Sequence, residues 1–162
     1  MQHQVYLALG TNLGEREANL AAARAALPPL VREVTASPIY CTPPWGFEQQ
    51  PDFLNQVVLA QTEASPLELL AYLKQVEAQV GRKPTFRYGP RVVDLDILFY
   101  DDLVLQHPEL TIPHPRLAER AFVLVPLADL APELRHPVSG QTVQAMLAAL
   151  PVDGIEPYPR VE

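Results

Sequence analysis

Cysteine is almost absent from this chain of 162 residues, which contains only Cys41. An intrachain disulfide needs two cysteines and a cysteine metal cluster needs more, so neither can form. Long apolar runs are also missing. The apolar run nearest the N-terminus, at 5–9, is too short for a signal-peptide core, and no other run approaches the length that spans a bilayer. We therefore expect a soluble, cytoplasmic protein without a membrane partner.

Positive charge is scarce as well, since 12 Lys and Arg stand against 19 Asp and Glu and give a net charge of −7. Broad binding to nucleic acid needs an excess of basic residues, so this class of partner is excluded and any basic site must be local. Hydrophobic residues make up 48% of the chain, as in ordinary globular proteins. A chain of this length can bury one core, so we predict a single domain over residues 1–162 and expect a monomer.

The hydrophobic pattern predicts a mixture of strands and helices. Strands are predicted at 5–10, 31–40, 53–62 and 92–100, and helices at 15–27, 65–81, 116–130 and 143–150. The helix at 65–81 has the clearest signals, because Ser65, Pro66 and Glu68 fit an N-cap, a first-turn proline and a capping-box acid. We expect Pro126 to break the helix at 116–130, and the tail beyond 150 to run over the surface.

The order of these elements predicts the fold class. Strands and helices are mixed without repeating strict βαβ units, and the segment 31–62 is typical of an antiparallel meander. An α/β sandwich of the α+β type, with a largely antiparallel sheet, is therefore favoured. On the strand at 92–100, alternation places four apolar residues on one face: Val93, Leu95, Ile97 and Phe99.

Two carboxylates on that strand are the first candidates for chemistry. Asp94 and Asp96 point to one face, with Cα atoms roughly 6.5–7 Å apart. Such a pair repels itself unless a cation lies beside it, and hard oxygen ligands suit Mg²⁺ that carries the phosphates of a nucleotide. An isolated Asp-x-Asp is nevertheless more often the solvent face of a strand, because so short a match has many false positives.

The loop before this strand favours a metal-binding role for Asp94 and Asp96 over a purely solvent-exposed one. It supplies four of the twelve Lys and Arg residues, and no acid lies between residues 78 and 93. These four are Arg82, Lys83, Arg87 and Arg91. A positive loop beside paired carboxylates can clamp a metal-bound polyphosphate, so the combination favours phosphoryl chemistry.

Other candidates stay open between a functional and a structural role. Glu77 adjoins the apolar stripe of its helix, where it either faces a cleft or reaches water. His114 lies between two prolines and near two arginines, and either contacts phosphate or is structural. Several side chains can bind a flat heterocycle but equally fit core packing, namely Tyr40, Trp45, Phe53, Asn55 and Phe122. The segment 10–14 lacks the ending of a phosphate loop, so we interpret it as a tight strand-to-helix turn.

The segment 87–98, Arg-Tyr-Gly-Pro-Arg-Val-Val-Asp-Leu-Asp-Ile-Leu, resembles the signature of the hydroxymethyldihydropterin pyrophosphokinases. Supporting similarities lie at 8–14, 40–44, 51–55, residue 77 with 81–82, and 113–116 followed by 119–123. The resemblance implies a single-domain, three-layer α-β-α sandwich with a largely antiparallel, ferredoxin-like central sheet, and loops that close over ATP and the pterin. It also implies transfer of the β,γ-diphosphate of ATP to 6-hydroxymethyl-7,8-dihydropterin, with release of AMP, in folate biosynthesis.

The resemblance also assigns site residues by position. Asp94 and Asp96 would hold two Mg²⁺ ions, while Arg82 and Arg91 would bind and stabilise the transferring phosphates. The ATP site would further include Glu77, Ile97, Thr111, His114 and Arg120. The pterin pocket would be lined by Thr42, Pro43, Trp45, Phe53, Asn55 and Phe122, with the two Phe rings sandwiching the bicyclic ring.

The chain departs from the family pattern in two places. Phe53 stands where many relatives have Tyr, which keeps the stacking surface and loses a hydroxyl. The loop between Arg82 and Arg87 is one residue short, so a second loop arginine of some relatives has no counterpart, and loop closure and ATP affinity can differ.

Two other functions remain open. One is a nucleotidyltransferase, which would release pyrophosphate and need a third acid on a neighbouring strand. The other is a catalytically silent binding module. No residue stands out as a general base. The substrate hydroxyl could be activated by Asp96 or by the metal, and the sequence leaves both alternatives open.

Overall fold

The computed structural model describes residues 1–42, 51–81 and 92–159. The predicted site residues Pro43, Trp45, Arg82 and Arg91 lie outside these ranges. Within them, the strands are β1 (His3–Thr11), β2 (Val31–Ala36), β3 (Ile39–Thr42), β4 (Phe53–Thr62), β5 (Asp94–Tyr100), β6 (Leu105–His107), β7 (Leu110–Ile112) and β8 (Glu156–Tyr158). The helices are α1 (Arg16–Ala25), α2 (Pro66–Val80), α3 (Ala121–Leu130) and α4 (Val143–Ala148), with a 3-10 turn at Leu117–Glu119.

The main sheet has the strand order β5-β1-β4-β3-β8, and β2 pairs with β4 beside β3. All of its strand pairs are antiparallel. The order β5-β1-β4-β2, with α1 after β1 and α2 after β4, is the ferredoxin-like arrangement. The strands β6 and β7 form a separate hairpin. The predicted mixed fold with a largely antiparallel sheet is confirmed.

Helices cover both faces of the sheet. On one face, Leu7 and Leu9 of β1 pack in a cluster with Leu20 of α1 and Leu73 of α2. On the other, Tyr6 and Ala8 share a cluster with residues of α3 and α4, including Leu124 and Met146. We call this second side the α3 face. In the described residues no helix is both long and apolar enough to cross a membrane.

The helix α2 follows its predicted signals. The Ser65 side chain accepts a hydrogen bond from the Glu68 backbone, and the Glu68 carboxylate accepts one from the Ser65 backbone. The helix ends at Gly81, whose φ of 111° is a left-handed conformation that glycine adopts without strain. The capping box and the glycine end are confirmed.

Two strand predictions were wrong in detail. The predicted strand at 31–40 is divided into β2 and β3 at Ser37 and Pro38, because Pro38 has no N–H for the ladder. Phe99 does not share a face with Leu95 and Ile97. A register shift in the pairing of β1 with β5 adds Leu98, and Phe99 then turns onto the α3 face beside Leu98.

Two predictions about the C-terminal part were also wrong. The helix α3 continues through Pro126, and the interruption lies at Arg120, between the 3-10 turn and α3. Proline removes one backbone hydrogen bond, and the buried apolar side chains of α3 compensate for it. The tail beyond 150 does more than cover the surface, since β8 pairs with β3 and extends the sheet.

Candidate active site

The central feature of the site is a row of residues across three neighbouring strands. Asp94 of β5 lies opposite Gly10 of β1, and Gly10 lies opposite Asn55 of β4. Asp96 lies opposite Ala8, whose side chain is on the α3 face. Because side chains alternate along a strand and paired residues share a face, both acids and Asn55 project to the α3 face. The sheet therefore brings together predicted phosphate and pterin residues.

Gly10 leaves room where this row is most crowded. A Cβ atom at Gly10 would lie 3.1 Å from Asn55 Oδ1 and 3.7 Å from Phe53 Cδ1. Asn55 is held from its other side, since its Nδ2 donates to Thr42 Oγ1 at 2.6 Å. Thr42 and Asn55 are both buried. The structure thus groups three of the predicted pterin residues at one end of the sheet.

Phe122, the other predicted stacking ring, lies at the start of α3. It packs against the apolar cluster of the α3 face, which includes Ala8. The guanidinium carbon of Arg120 lies 5.8 Å from the centroid of the Phe122 ring, within range of a cation–π contact. The beginning of α3 therefore supplies both an apolar ring and a cation to the same face of the sheet.

The acid pair fits a magnesium site that depends on its substrate. Asp94 and Asp96 are half-buried, and the residues opposite them, Gly10 and Ala8, have little or no side chain. The described residues contain no group of three or more His, Cys, Asp or Glu side chains arranged to hold a metal. Mg²⁺ is commonly bound by one or two carboxylates together with substrate phosphates and water. The donors present match that pattern.

Glu77 holds the strand that carries the acid pair through a hydrogen bond to its backbone. It is 5% exposed, and its Oε2 accepts a hydrogen bond from the Leu95 backbone N–H at 2.8 Å. Leu95 lies between Asp94 and Asp96 on β5, which is an edge strand of the sheet. Glu77 therefore satisfies an outward-facing amide of the edge and fixes the strand that carries both acids. Of the two interpretations left open from the sequence, the one in which Glu77 reaches water is wrong.

His114 is bound to the same strand and interacts with an acid of the pair. Its backbone N–H donates to Leu98 O at 3.0 Å, and its Nδ1 accepts from the Arg116 backbone N–H at 3.1 Å. Burial lowers the pKa of His114, Asp96 opposes this by raising it, and the nearby Arg120 and Arg116 lower it further. The neutral ring then carries its proton on Nε2 and is a hydrogen-bond donor there.

Two predicted ATP-site residues, Ile97 and Thr111, do not lie with the acid pair on the α3 face of the main sheet. The Ile97 side chain is in the cluster beneath α1 and α2, on the opposite face from Asp94 and Asp96. The Leu95 N–H points to the outer edge of β5, and regular alternation would direct the backbone groups of Ile97 to the same edge. Thr111 is half-buried on β7, which packs against β5. Ile97 can therefore meet a nucleotide only through its backbone.

Sequence reasoning missed the part that Gly10 plays. Gly10 was interpreted as the end of the first strand and the start of a turn, but β1 continues to Thr11 and pairing places Gly10 in the middle of the row. The glycine itself was visible in the sequence. Its register against Asp94 and Asn55 was not, because it depends on pairing between distant segments.

Comparison with known proteins identifies the family. A family model described as 7,8-dihydro-6-hydroxymethylpterin-pyrophosphokinase (HPPK) matches residues 6–132. The chain is 45% identical over 161 residues to the 2-amino-4-hydroxy-6-hydroxymethyldihydropteridine pyrophosphokinase of Pseudomonas aeruginosa, covering 98% of this chain and 99% of that protein. The chain belongs to the HPPK family. A Bacillus subtilis protein of the same name is 41% identical over 147 residues, 89% of this chain and 88% of its own.

A solved structure shows that the fold extends to distant HPPK proteins. The Plasmodium falciparum HPPK-DHPS crystal structure with pterin and p-hydroxybenzoate matches with a TM-score of 0.74 at 17% identity. The match covers 92% of this chain and 42% of that one, so this chain spans less than half the length of that structure. At this identity the likeness shows the HPPK fold alone.

Proposed function

We propose that residues 1–162 act as one pyrophosphokinase domain that transfers the β,γ-diphosphate of ATP to 6-hydroxymethyl-7,8-dihydropterin. The products are AMP and the pterin diphosphate, an intermediate of folate biosynthesis. The observation that carries this proposal is the row Asp94–Gly10–Asn55, in which a residue assigned to the phosphates and a residue assigned to the pterin project from the same face of the sheet, two strands apart. Family membership supports the choice of substrates, and we assign their meeting point to this row.

On the pterin side, the chain's own residues bind and orient the ring. Asn55, fixed by Thr42, presents its amide to the polar edge of the heterocycle. Phe53 and Phe122 are assigned to the two faces of the ring, where aromatic stacking orients it without covalent chemistry. Pro43 and Trp45, which lie outside the described residues, complete the proposed pocket.

On the nucleotide side, Asp94 and Asp96 would hold Mg²⁺, and we propose two ions. Bound metal would neutralise phosphate charge and help align the attacking and leaving oxygens. Neutral His114 offers an Nε2–H donor to a phosphate oxygen, and Arg120 adds positive charge beside it. The remaining nucleotide contacts are assigned to the Ile97 backbone, Thr111, Arg82 and Arg91, the last two outside the described residues. Glu77 is assigned to the same site through the strand that it holds.

The strand next to the acid pair argues against the nucleotidyltransferase alternative. That chemistry requires a third acid on a neighbouring strand, and the residues of β1 opposite Asp94 and Asp96 are Gly10 and Ala8. Phosphoryl transfer by positioning and charge stabilisation needs no further acid. The neighbouring strand therefore favours a pyrophosphokinase.

Product analysis tests the proposal directly. The protein is mixed with ATP, Mg²⁺ and 6-hydroxymethyl-7,8-dihydropterin, with controls that omit the pterin or the metal. We expect AMP only when both are present. Asp94→Asn and Asp96→Asn should each lower the rate by about 10²–10³-fold, as loss of a charge at a reacting centre typically does. Asp102→Asn, an exposed acid just beyond the same strand, is the matched control and should keep the rate.

Other products would contradict the proposal. ADP would indicate a simple kinase, and pyrophosphate would indicate a nucleotidyltransferase. No turnover would leave the silent binding module.

We also propose that the protein works as a monomer in the cytoplasm, where ATP is available. The described site residues come from one sheet and the elements packed on it, so one copy supplies them all. Size-exclusion chromatography with light scattering checks the monomer, and a mass of twice 18.0 kDa would contradict it.

A further inference from the structure

The turn after β1 reaches the chain that leads into the pterin residues. Asn12 is fully buried, and its Nδ2 donates to the Pro51 carbonyl at 3.1 Å. Arg16, the first residue of α1, donates from Nη1 to the Asp52 carbonyl at 2.8 Å. Two side chains at the junction of β1 and α1 thus bind two consecutive backbone carbonyls that are distant in sequence.

These contacts continue the sheet where its backbone pairing stops. The ladder between β1 and β4 ends with Thr11 opposite Leu54. Pro51 and Asp52 precede β4 and are exposed, so the ladder does not fix them. The side chains of Asn12 and Arg16 bind the backbone of this segment, and Cys41 Sγ contacts the Asp52 side chain at 3.8 Å.

The position of the Pro51–Asp52 segment matters because it leads directly into two pterin residues. Asp52 is bonded directly to Phe53, and Asn55 lies two residues beyond Phe53. Phe53 and Asn55 both approach Gly10 within the site. A shift of the segment therefore moves the stacking ring first and the amide next.

Arg16 is itself oriented from a second direction. Its guanidinium carbon lies 6.0 Å from the ring centroid of Tyr158 on β8. The strand β8 pairs with β3, whose last residue, Thr42, also holds Asn55. The Arg16 contact thus joins α1, the start of β4 and the C-terminal strand.

We propose that Asn12 and Arg16 are positioning residues for the pterin pocket, acting through the Pro51 and Asp52 carbonyls on Phe53 and Asn55. The inference rests on the proposed function, because it concerns affinity for the pterin. Neither residue is assigned a contact with the substrate. They set the ring and the amide that bind it.

Binding measurements on four variants test the proposal. Pterin affinity is followed by the fluorescence of the pterin in the presence of a non-hydrolysable ATP analogue, and analogue affinity is measured separately. Asn12→Ala and Arg16→Ala should each weaken pterin binding by about 3- to 10-fold, the usual effect of losing one hydrogen bond. Arg16→Lys keeps a donor and should recover most of the affinity. Nucleotide affinity should not change.

Asn19→Ala is the matched control. Asn19 supports the same turn, donating to Leu13 O at 2.8 Å and Thr11 Oγ1 at 3.3 Å, but it does not bind the Pro51–Asp52 segment. A general loosening of the turn would weaken pterin binding in all the alanine variants. The proposal requires Asn19→Ala to bind pterin as the wild type does.

Several outcomes would overturn the inference. Wild-type pterin affinity in Arg16→Ala, an equal loss in Asn19→Ala, or a matching loss of nucleotide affinity would each do so. If Asn12→Ala does not fold, the Arg16→Ala and Arg16→Lys pair decides. Failure of the wild type to form AMP would remove the proposed function, whereas wild-type turnover with unchanged pterin affinity in the variants would remove only this inference.

Discussion

The substitution Gly10→Ala separates crowding at the site from backbone effects. Gly10 is not in the left-handed region, so alanine fits its backbone, and replacing glycine in a strand should by itself stabilise the fold by about 0.5–1 kcal/mol. The new Cβ would lie 3.1 Å from Asn55 Oδ1, which must then move by a few tenths of an ångström. Overpacking of this kind costs about 1–3 kcal/mol. We expect a net destabilisation of about 1 kcal/mol.

The effect on the pterin should exceed the effect on the fold. Asn55 cannot move freely, because its bond to Thr42 is 2.6 Å long. Displacing the amide should weaken one hydrogen bond to the pterin and its contact with the Phe53 ring. Together these losses should cost about 1–2 kcal/mol of pterin binding, or about 5- to 30-fold in affinity. Urea denaturation measures the stability and pterin fluorescence measures the affinity.

Gly140→Ala serves as the contrast, because it should lower stability to a similar extent without changing pterin affinity. Gly140 has a φ of 75° with nothing within 4 Å of a new Cβ, so alanine there strains the backbone and crowds no neighbour. It should lose about 1 kcal/mol of stability and keep pterin affinity. If Gly10→Ala were more stable than the wild type and bound pterin equally well, the argument from crowding would be refuted.

Three further predictions concern groups outside the row. Burial lowers the pKa of His136, so the unfolded chain takes up a proton at higher pH than the folded chain, and stability falls as the pH drops below about 6.5. In urea titrations, His136→Asn should therefore lose less stability between pH 7 and pH 5 than the wild type does. Burial and the hydrogen bond to Asp129 raise the pKa of Tyr40 to about 12, so its contribution to folding stability is present below pH 10 and is lost towards pH 12. The stability of Tyr40→Phe should therefore fall less between pH 10 and pH 12 than that of the wild type. Tyr100 donates to the Ala64 carbonyl at 2.6 Å, and Tyr100→Phe should lower the free energy of unfolding by about 1–3 kcal/mol while kcat is unchanged.

The sequence predicted best those features whose causes are local. The capping box of Ser65 and Glu68 lies within one turn, and the alternation of Asp94 and Asp96 lies within one strand. A long signature motif added the family, which is confirmed. The roles assigned to individual site residues stay predictions.

Features that depend on distant pairing could not be predicted in this way. The face of Phe99 depends on a register shift against β1, and the tail becomes a strand only because β3 offers it an edge. The three-residue strands β6 and β7 are too short for a periodic pattern and were missed. For Phe99 and the tail, the deciding partner lies far away in the sequence, whereas β6 and β7 pair with each other across a short turn.

The row Asp94–Gly10–Asn55 also fixes the distance between the first and the last of its residues. Neighbouring strands lie about 4.8 Å apart, so the backbones that carry the acid and the amide are separated by two spacings, or about 10 Å. Backbone hydrogen bonds between the paired strands set this length. If Asp94 and Asn55 bind the phosphates and the pterin as proposed, a substrate analogue with one extra carbon between the ring and the reacting hydroxyl should still bind but react more slowly, because the spacing of the strands no longer matches its length.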